Sequence, residues 1–365
     1  MSALIWVRTG LAGGFVPAAF IFGDSLVDAG NNNYISTLSR ANYLPNGIDF
    51  GKATGRFTNG RTHETDLSIN FYILSLLFSL EQELGYRNFT PPYLAATKAG
   101  AVAPYGVNYA SGAGGILNET GQNFGGRINL DAQIENFKNT RQDMISSVGA
   151  PAAMKLLERA LFSVTVGTND LLNNYLPPIG STARQRLLPP ETFVGTMISR
   201  FRLQLLRLYR LGARKIVVAN LGLIGCIPFQ RDSNPSSGLS CVDFANELAQ
   251  LFNIQLRSLV AELNTSLKGS QFVYADVYHI VEDILQNYKS YGFENANSSC
   301  CSIAGRFGGL VPCLPSSRVC SDRSKFVFWD AYHPTEAANI IIAKRLMDGD
   351  LDDISPVNIR HLVDS

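Results

Sequence analysis

No cysteine occurs before position 226 in this chain of 365 residues, histidine appears only four times and tryptophan twice. With no CxxC pair and no histidine cluster, a zinc site has nothing to build on, and neither metal nor cofactor is expected. Charge is scarce as well. Ionisable residues make up 17% of the chain and the net charge is +1. That excludes a global field able to recruit nucleic acid or an anionic membrane. Long hydrophobic runs are also missing: Phe71 to Leu80 comes nearest and falls well short of the roughly 18 apolar residues of a spanning helix. No transmembrane segment is expected. The densest basic stretch, 200–215, carries Phe201, Leu205, Leu208 and Leu211 at helical spacing with arginines between them. It reads as a docked surface helix rather than as a basic helix lying on a bilayer.

What is present suits a globular enzyme: 46% of residues are hydrophobic, enough for one large core or at most two smaller ones. The six cysteines, 226, 241, 300, 301, 313 and 320, are even in number and lie in a loop-rich region. They point to disulfides formed in an oxidising compartment. Cys226 and Cys241, with proline and glycine between them, are the expected local pair; the other connectivity stays open. Four Asn-x-Ser/Thr sequons, at Asn88, Asn118, Asn264 and Asn297, agree with secretion. The leader is atypical, because Arg8 interrupts the apolar pieces Leu4 to Val7 and Leu11 to Val16 where a signal peptide needs an unbroken run. The expected location is therefore extracellular, with residues 1–16 as an irregular leader.

Short apolar, β-branched or aromatic runs recur along the chain, each ending in small or turn-forming residues. They are Ala18 to Phe22 before Gly23-Asp24-Ser25, the weaker Gly106 to Ala110 before Ser111 to Gly115, and Leu161 to Val166 before Gly167-Thr168-Asn169-Asp170. Lys215 to Ala219 and Phe272 to Ala275 complete the set. Helical periodicity fills the gaps, over about 131–147, 190–211, 242–267, 278–289 and 335–347. Continuous apolar strands alternating with helices predict a parallel sheet covered on both faces, a three-layer α/β/α sandwich with five parallel strands. In such sheets ligands sit beyond the carboxyl ends of the strands, where all these turn motifs fall.

Three of those turns carry chemistry. Ser25, just after a strand, has its hydroxyl at the active edge of the sheet; alone, it reads more readily as a helix N-cap. A serine is a weak nucleophile until a neighbouring base takes its proton and a third group orients that base. Asp330-Ala331-Tyr332-His333 places a carboxylate three residues before an imidazole, able to hold one ring nitrogen and leave the other free. Asp276-Val277-Tyr278-His279 has the same spacing after another strand, and spacing does not separate the two. Asn169 offers a side-chain amide to a developing oxyanion, or makes an ordinary Asn turn. The glycine-rich loop 111–115 offers backbone amides for the same purpose. A phosphate cradle is excluded there, since no Lys-Ser/Thr follows.

Taken together, the blocks Phe22 to Asn32, Gly106 to Gly112, Val166 to Asp170 and Phe328 to Pro334 resemble those of the GDSL esterase/lipase family of the SGNH hydrolase superfamily, most closely its plant branch. The likeness covers nearly the whole chain and includes Gly55 to Arg61 and the cysteine region. It implies a flavodoxin-like SGNH fold in a single domain over 17–350, with Ser25 as nucleophile, His333 as base and Asp330 as its orienting acid, which decides between the two Asp–His pairs. It also implies an oxyanion hole from the Ser25 amide, the Ala113 and Gly114 region and the Asn169 side chain. Asp24, Asp28 and Asp170 are expected to shape turns. The implied substrate is a small-molecule, lipid or polysaccharide acyl ester, cleaved without metal or cofactor. An acyltransferase using the same triad is the alternative, and a non-catalytic lipid- or carbohydrate-binding protein on the same fold is the rival outside enzymes. The apolar stretch 63–80 departs from the family pattern and reads as an insertion.

Overall fold

A computed structural model describes residues 16–62, 90–98, 106–176 and 188–365. The stretch read as an insertion and, apart from Val16, the irregular leader lie outside the described residues. Five strands pair in parallel: β1 (Ala19–Gly23), β2 (Gly106–Asn108), β3 (Leu161–Thr165), β4 (Lys215–Ala219) and β5 (Gln271–Ala275). Their order is β2-β1-β3-β4-β5, that of a flavodoxin-like sheet. A short sixth strand, β6 (Ile354–Ser355), adds to the β5 edge in antiparallel sense. The sequence reading lacked it because two residues carry no periodicity.

Alternation along the strands sorts the core into two layers. Ile216 and Val218 of β4, with Phe272 and Tyr274 of β5, join one buried cluster. Val217, Ala219, Val273 and Ala275 join the other. Successive side chains on a strand point to opposite faces, so continuous apolar runs are what a sheet covered on both sides requires. On the first face pack α1 (Leu130–Val148), α2 (Ala150–Arg159), α3 (Pro190–Arg210) and α4 (Asp243–Ser266). Phe137 of α1 sits 5.1 Å from Phe20 and 5.3 Å from Phe162, centroid to centroid, so aromatic contacts lock that helix over β1 and β3. The opposite face carries α5 (Val277–Gln286), α6 (Glu336–Asp348) and α7 (Ile359–Asp364). Ile354, Ile359 and Leu362 are fully buried there. No described helix is long and apolar enough to cross a membrane.

Cys226 pairs with Cys241 as expected, Cys300 with Cys320 and Cys301 with Cys313. The last two bridges surround Trp329, whose indole N–H donates to Asn46 Oδ1 at 2.9 Å. They brace the loop that precedes His333. Of the sequons, Asn118 and Asn297 are exposed, whereas both ends of the Asn264 amide bond the Phe272 backbone and fasten α4 to β5.

Candidate active site

Gly23 ends β1 where there is no room for a side chain: a Cβ there would lie 2.3 Å from the Thr165 carbonyl oxygen. Gln133 of α1 clamps the same residue, accepting from its N–H at 2.9 Å and donating to its carbonyl at 2.7 Å. The chain then turns, with the Leu26 amide donating to Asp24 Oδ1 at 3.0 Å and the Val27 amide to the Asp24 carbonyl. Ser25 is delivered to the crest of the sheet by this turn.

At the other end of the chain, a tight turn closes when the Trp329 amide donates to the His333 carbonyl at 2.8 Å. Inside it Asp330 Oδ1 accepts three N–H groups: the amides of Tyr332 and His333, both at 2.9 Å, and the His333 ring at Nδ1, 2.8 Å away. That carboxylate leaves His333 one useful tautomer, with the proton on Nδ1 and a lone pair on Nε2. Nε2 lies 2.8 Å from Ser25 Oγ. Asp330 and His333 are both buried, and the Phe57 ring lies 5.2 Å from the imidazole.

The competing pair is arranged differently. Asp276 accepts from the His279 backbone amide at 3.0 Å, which caps α5, and its other partners are Arg257 and Asn220. The His279 side chain is 44% exposed, against 8% for His333, and the nearest carboxylate to its ring is Asp353 at 3.9 Å. Asp276 is thus committed to its helix and orients no base.

Three residues with N–H groups to offer line one cavity: Ser25, Ala113 and Asn169. Asn169 spends one amide hydrogen on the Gly114 carbonyl at 2.9 Å, while Asn173 donates to its Oδ1 at 3.3 Å; the second hydrogen on Nδ2 has no acceptor among the described residues. The backbone amides of Ser25 and Ala113 have no acceptor among the described residues. Ala113 adopts φ 64°, a left-handed conformation costly for a residue with a Cβ. Gly114 departs from the sequence expectation: its amide donates to the Ser111 carbonyl at 2.9 Å, closing the turn, and is not available to a ligand.

Buried polar side chains hold these loops together. Asp28 accepts from the amides of Gly30, Asn31 and Gly112 at 2.7, 2.7 and 3.0 Å. Asn31 donates to the carbonyls of Asn108 and Ala110, and Asn32 to that of Gly112. Asp170 gathers the amides of Ile116 and Leu117 and the Thr120 hydroxyl. The turn after β1 and the loop after β2 are therefore one rigid unit.

Burial pushes three of these carboxyls up: Asp24 to about 7, against the pull of the Leu26 amide and of His333, and Asp28 and Asp170 to about 6 against their own amide donors. Because the folded state holds these protons longer than the unfolded chain, stability rises as pH falls from about 7 towards 4. Carboxylates shifted the other way, such as Asp283 beside the Tyr291 hydroxyl and Asp348 beside Arg360, lose their contribution only below that window. Calorimetry should find the melting temperature at least about 3 °C higher at pH 5 than at pH 8. Asp24→Asn should flatten that slope; a melting temperature lower at pH 5 contradicts the assignment.

A cavity of about 230 Å³ opens at Ser25 and His333. The family model for GDSL-like lipases/acylhydrolases matches residues 20–346. An Arabidopsis thaliana GDSL esterase/lipase is 59% identical over 362 residues, covering 99% of this chain and 95% of the relative. A second from the same plant is 48% identical over 96% of this chain and 89% of its own length. GDSL esterase/lipase 7 of Arabidopsis thaliana is 41% identical, over 98% and 96% respectively. With the parallel sheet, the serine turn at its crest and a family match across most of its length, this chain belongs to the GDSL-like lipase/acylhydrolase family.

Proposed function

We propose that this ester-bond hydrolase works through a Ser25–His333–Asp330 triad and a covalent acyl-enzyme. The observation that carries the reading is the unbroken relay of two 2.8 Å contacts, from Ser25 Oγ to His333 Nε2 and from Nδ1 to Asp330 Oδ1. His333 takes the Ser25 proton as the hydroxyl oxygen attacks the acyl carbonyl. The amides of Ser25 and Ala113 and the second Asn169 hydrogen receive the charge that develops on the carbonyl oxygen. His333 then hands its proton to the departing alcohol. Water attacks the resulting ester of Ser25 with His333 again as base, releasing the acid and restoring the serine. Asp330 keeps its proton count throughout, holding the ring and stabilising its charged form.

Product partitioning tests the intermediate. Butyrate esters of p-nitrophenol, phenol and methylumbelliferone are hydrolysed in the presence of methanol. A common acyl-enzyme forgets its leaving group, so the ratio of methyl butyrate to butyric acid should be the same for all three. A ratio that follows the leaving group excludes a shared intermediate. A product that is almost entirely methyl ester would instead favour the acyltransferase. Export to an oxidising compartment belongs to the same reading, supported by three disulfides that account for every cysteine. The substrate is an acyl ester of a small molecule, lipid or polysaccharide.

A further inference from the structure

Arg40 is the only lysine or arginine among the described residues lining the cavity that holds Ser25 and His333. Its loop, rather than a counter-charge, keeps it in place. Asn32 Nδ2 donates to the Ser39 carbonyl at 2.8 Å and to the Gly112 carbonyl at 3.0 Å. One side-chain amide thus joins the backbone next to Arg40 with the backbone next to Ala113. On the other side, the Leu38 amide and the Thr37 hydroxyl both donate to the Phe124 carbonyl, at 2.8 and 3.1 Å. The guanidinium itself is pinned, because Nη2 donates to the Ile35 carbonyl at 2.6 Å.

A guanidinium carries N–H donors on three nitrogens, and no other described group accepts from this one. Its Nε is buried with no acceptor among the described residues. No described carboxylate pairs with it either. The two acidic side chains that line the same cavity are spent elsewhere, Asp24 on the Leu26 amide and Asp330 on the turn around His333. The ordinary duty of an arginine, an ion pair within the fold, is therefore not met here. A half-buried cation with unfilled donors costs stability and calls for a partner. An apolar substrate closing over Arg40 would strip its water and return nothing. A carboxylate or phosphate would instead fill the open donors with charge-assisted bonds, at little cost in ordering a side chain already held. Resting on the triad reading above, we infer that the substrates are anionic esters, whose acid or alcohol half carries a carboxylate or phosphate, and that Arg40 selects them.

The test compares esters that differ in charge and hardly in shape. For the acid half, the p-nitrophenyl monoester of adipic acid is run beside the p-nitrophenyl ester in which an acetyl group replaces the free carboxylate. For the alcohol half, the acetates of hydroxyhexanoate and of hydroxybutyl phosphate are run beside the acetate of the matching methyl ketone alcohol. In the wild type kcat/KM should favour the charged member by at least about tenfold on one half, which is then the half that meets Arg40. High salt should shrink that preference. Arg40→Gln should bring the ratio to about one, and Arg40→Lys, which keeps the charge and loses the fork, should fall between. A wild-type ratio near one on both halves, or an Arg40→Gln variant that loses charged and neutral esters in equal proportion, overturns the inference and leaves the triad standing. Calorimetric binding of adipate and of hydroxyhexanoate reads the contact without turnover. At least one of them should bind about tenfold more weakly to Arg40→Gln; unchanged affinity for both overturns the anion contact. A wild type that hydrolyses none of these esters, yet binds the anions through Arg40, would sink the triad reading and keep the contact. Should Arg40→Gln not fold, the wild-type ratios and Arg40→Lys decide.

Discussion

Replacing His333 with alanine should lower kcat for ester hydrolysis by about a hundred thousandfold to a millionfold, the loss that follows when a serine keeps its proton. Ser25 Oγ has one base within hydrogen-bond reach, Nε2 of His333 at 2.8 Å, and no other described group is placed to take over. His279→Ala is the matched control. Its ring lies at the surface with only a 3.9 Å approach to Asp353, so kcat should be unchanged within error. Steady-state rates on a soluble ester, with melting curves to show that both variants fold, settle the comparison. A greater loss from His279 than from His333 would reverse the choice of base.

Asn169→Ala should reduce kcat by about a hundredfold to a thousandfold while KM stays close to wild type. A donor aimed at a charge that exists only in the transition state contributes nothing to ground-state binding, so its removal shows in kcat. The same side chain also holds the Gly114 carbonyl, and loosening that loop could by itself slow the reaction. Asn173→Ala separates the two effects: it frees the Asn169 amide from its neighbour without deleting the donor, and a loss of less than about tenfold is expected. An Asn169→Ala variant that raises KM with kcat intact would make Asn169 a ground-state contact instead.

Much of this architecture can be read in the sequence, for a physical reason. Parallel strands buried on both faces must be apolar at every position, so Leu161 to Val166 and Lys215 to Ala219 stand out, and the helices between them keep their period. Short elements stay silent, as β6 and α7 do, because two to six residues cannot display a period. The two Asp–His pairs show the limit more sharply. Both have the same spacing and both follow a strand, yet Asp276 is spent on capping α5 and pairing with Arg257, whereas Asp330 turns inward onto its own histidine. That difference is set by tertiary partners far away in sequence. Motif likeness favoured the turn at Asp330 without supplying the cause of the difference. The loop after β2 is a second instance. The likeness put both Ala113 and Gly114 in that region, and the backbone path shows the Gly114 amide consumed by the Ser111 carbonyl and the Ala113 amide without an acceptor among the described residues. Gln133, which clamps Gly23 from 110 residues away, gave no local signal at all.

One labelling experiment goes straight to the nucleophile. The folded protein is treated with a fluorophosphonate, digested, and mapped by mass spectrometry, beside Ser25→Ala and His333→Ala. The triad predicts a single phosphonyl adduct, on the peptide that holds Ser25, absent from Ser25→Ala and slowed by orders of magnitude in His333→Ala. An adduct on another residue, or equal labelling after Ser25 is removed, would contradict it.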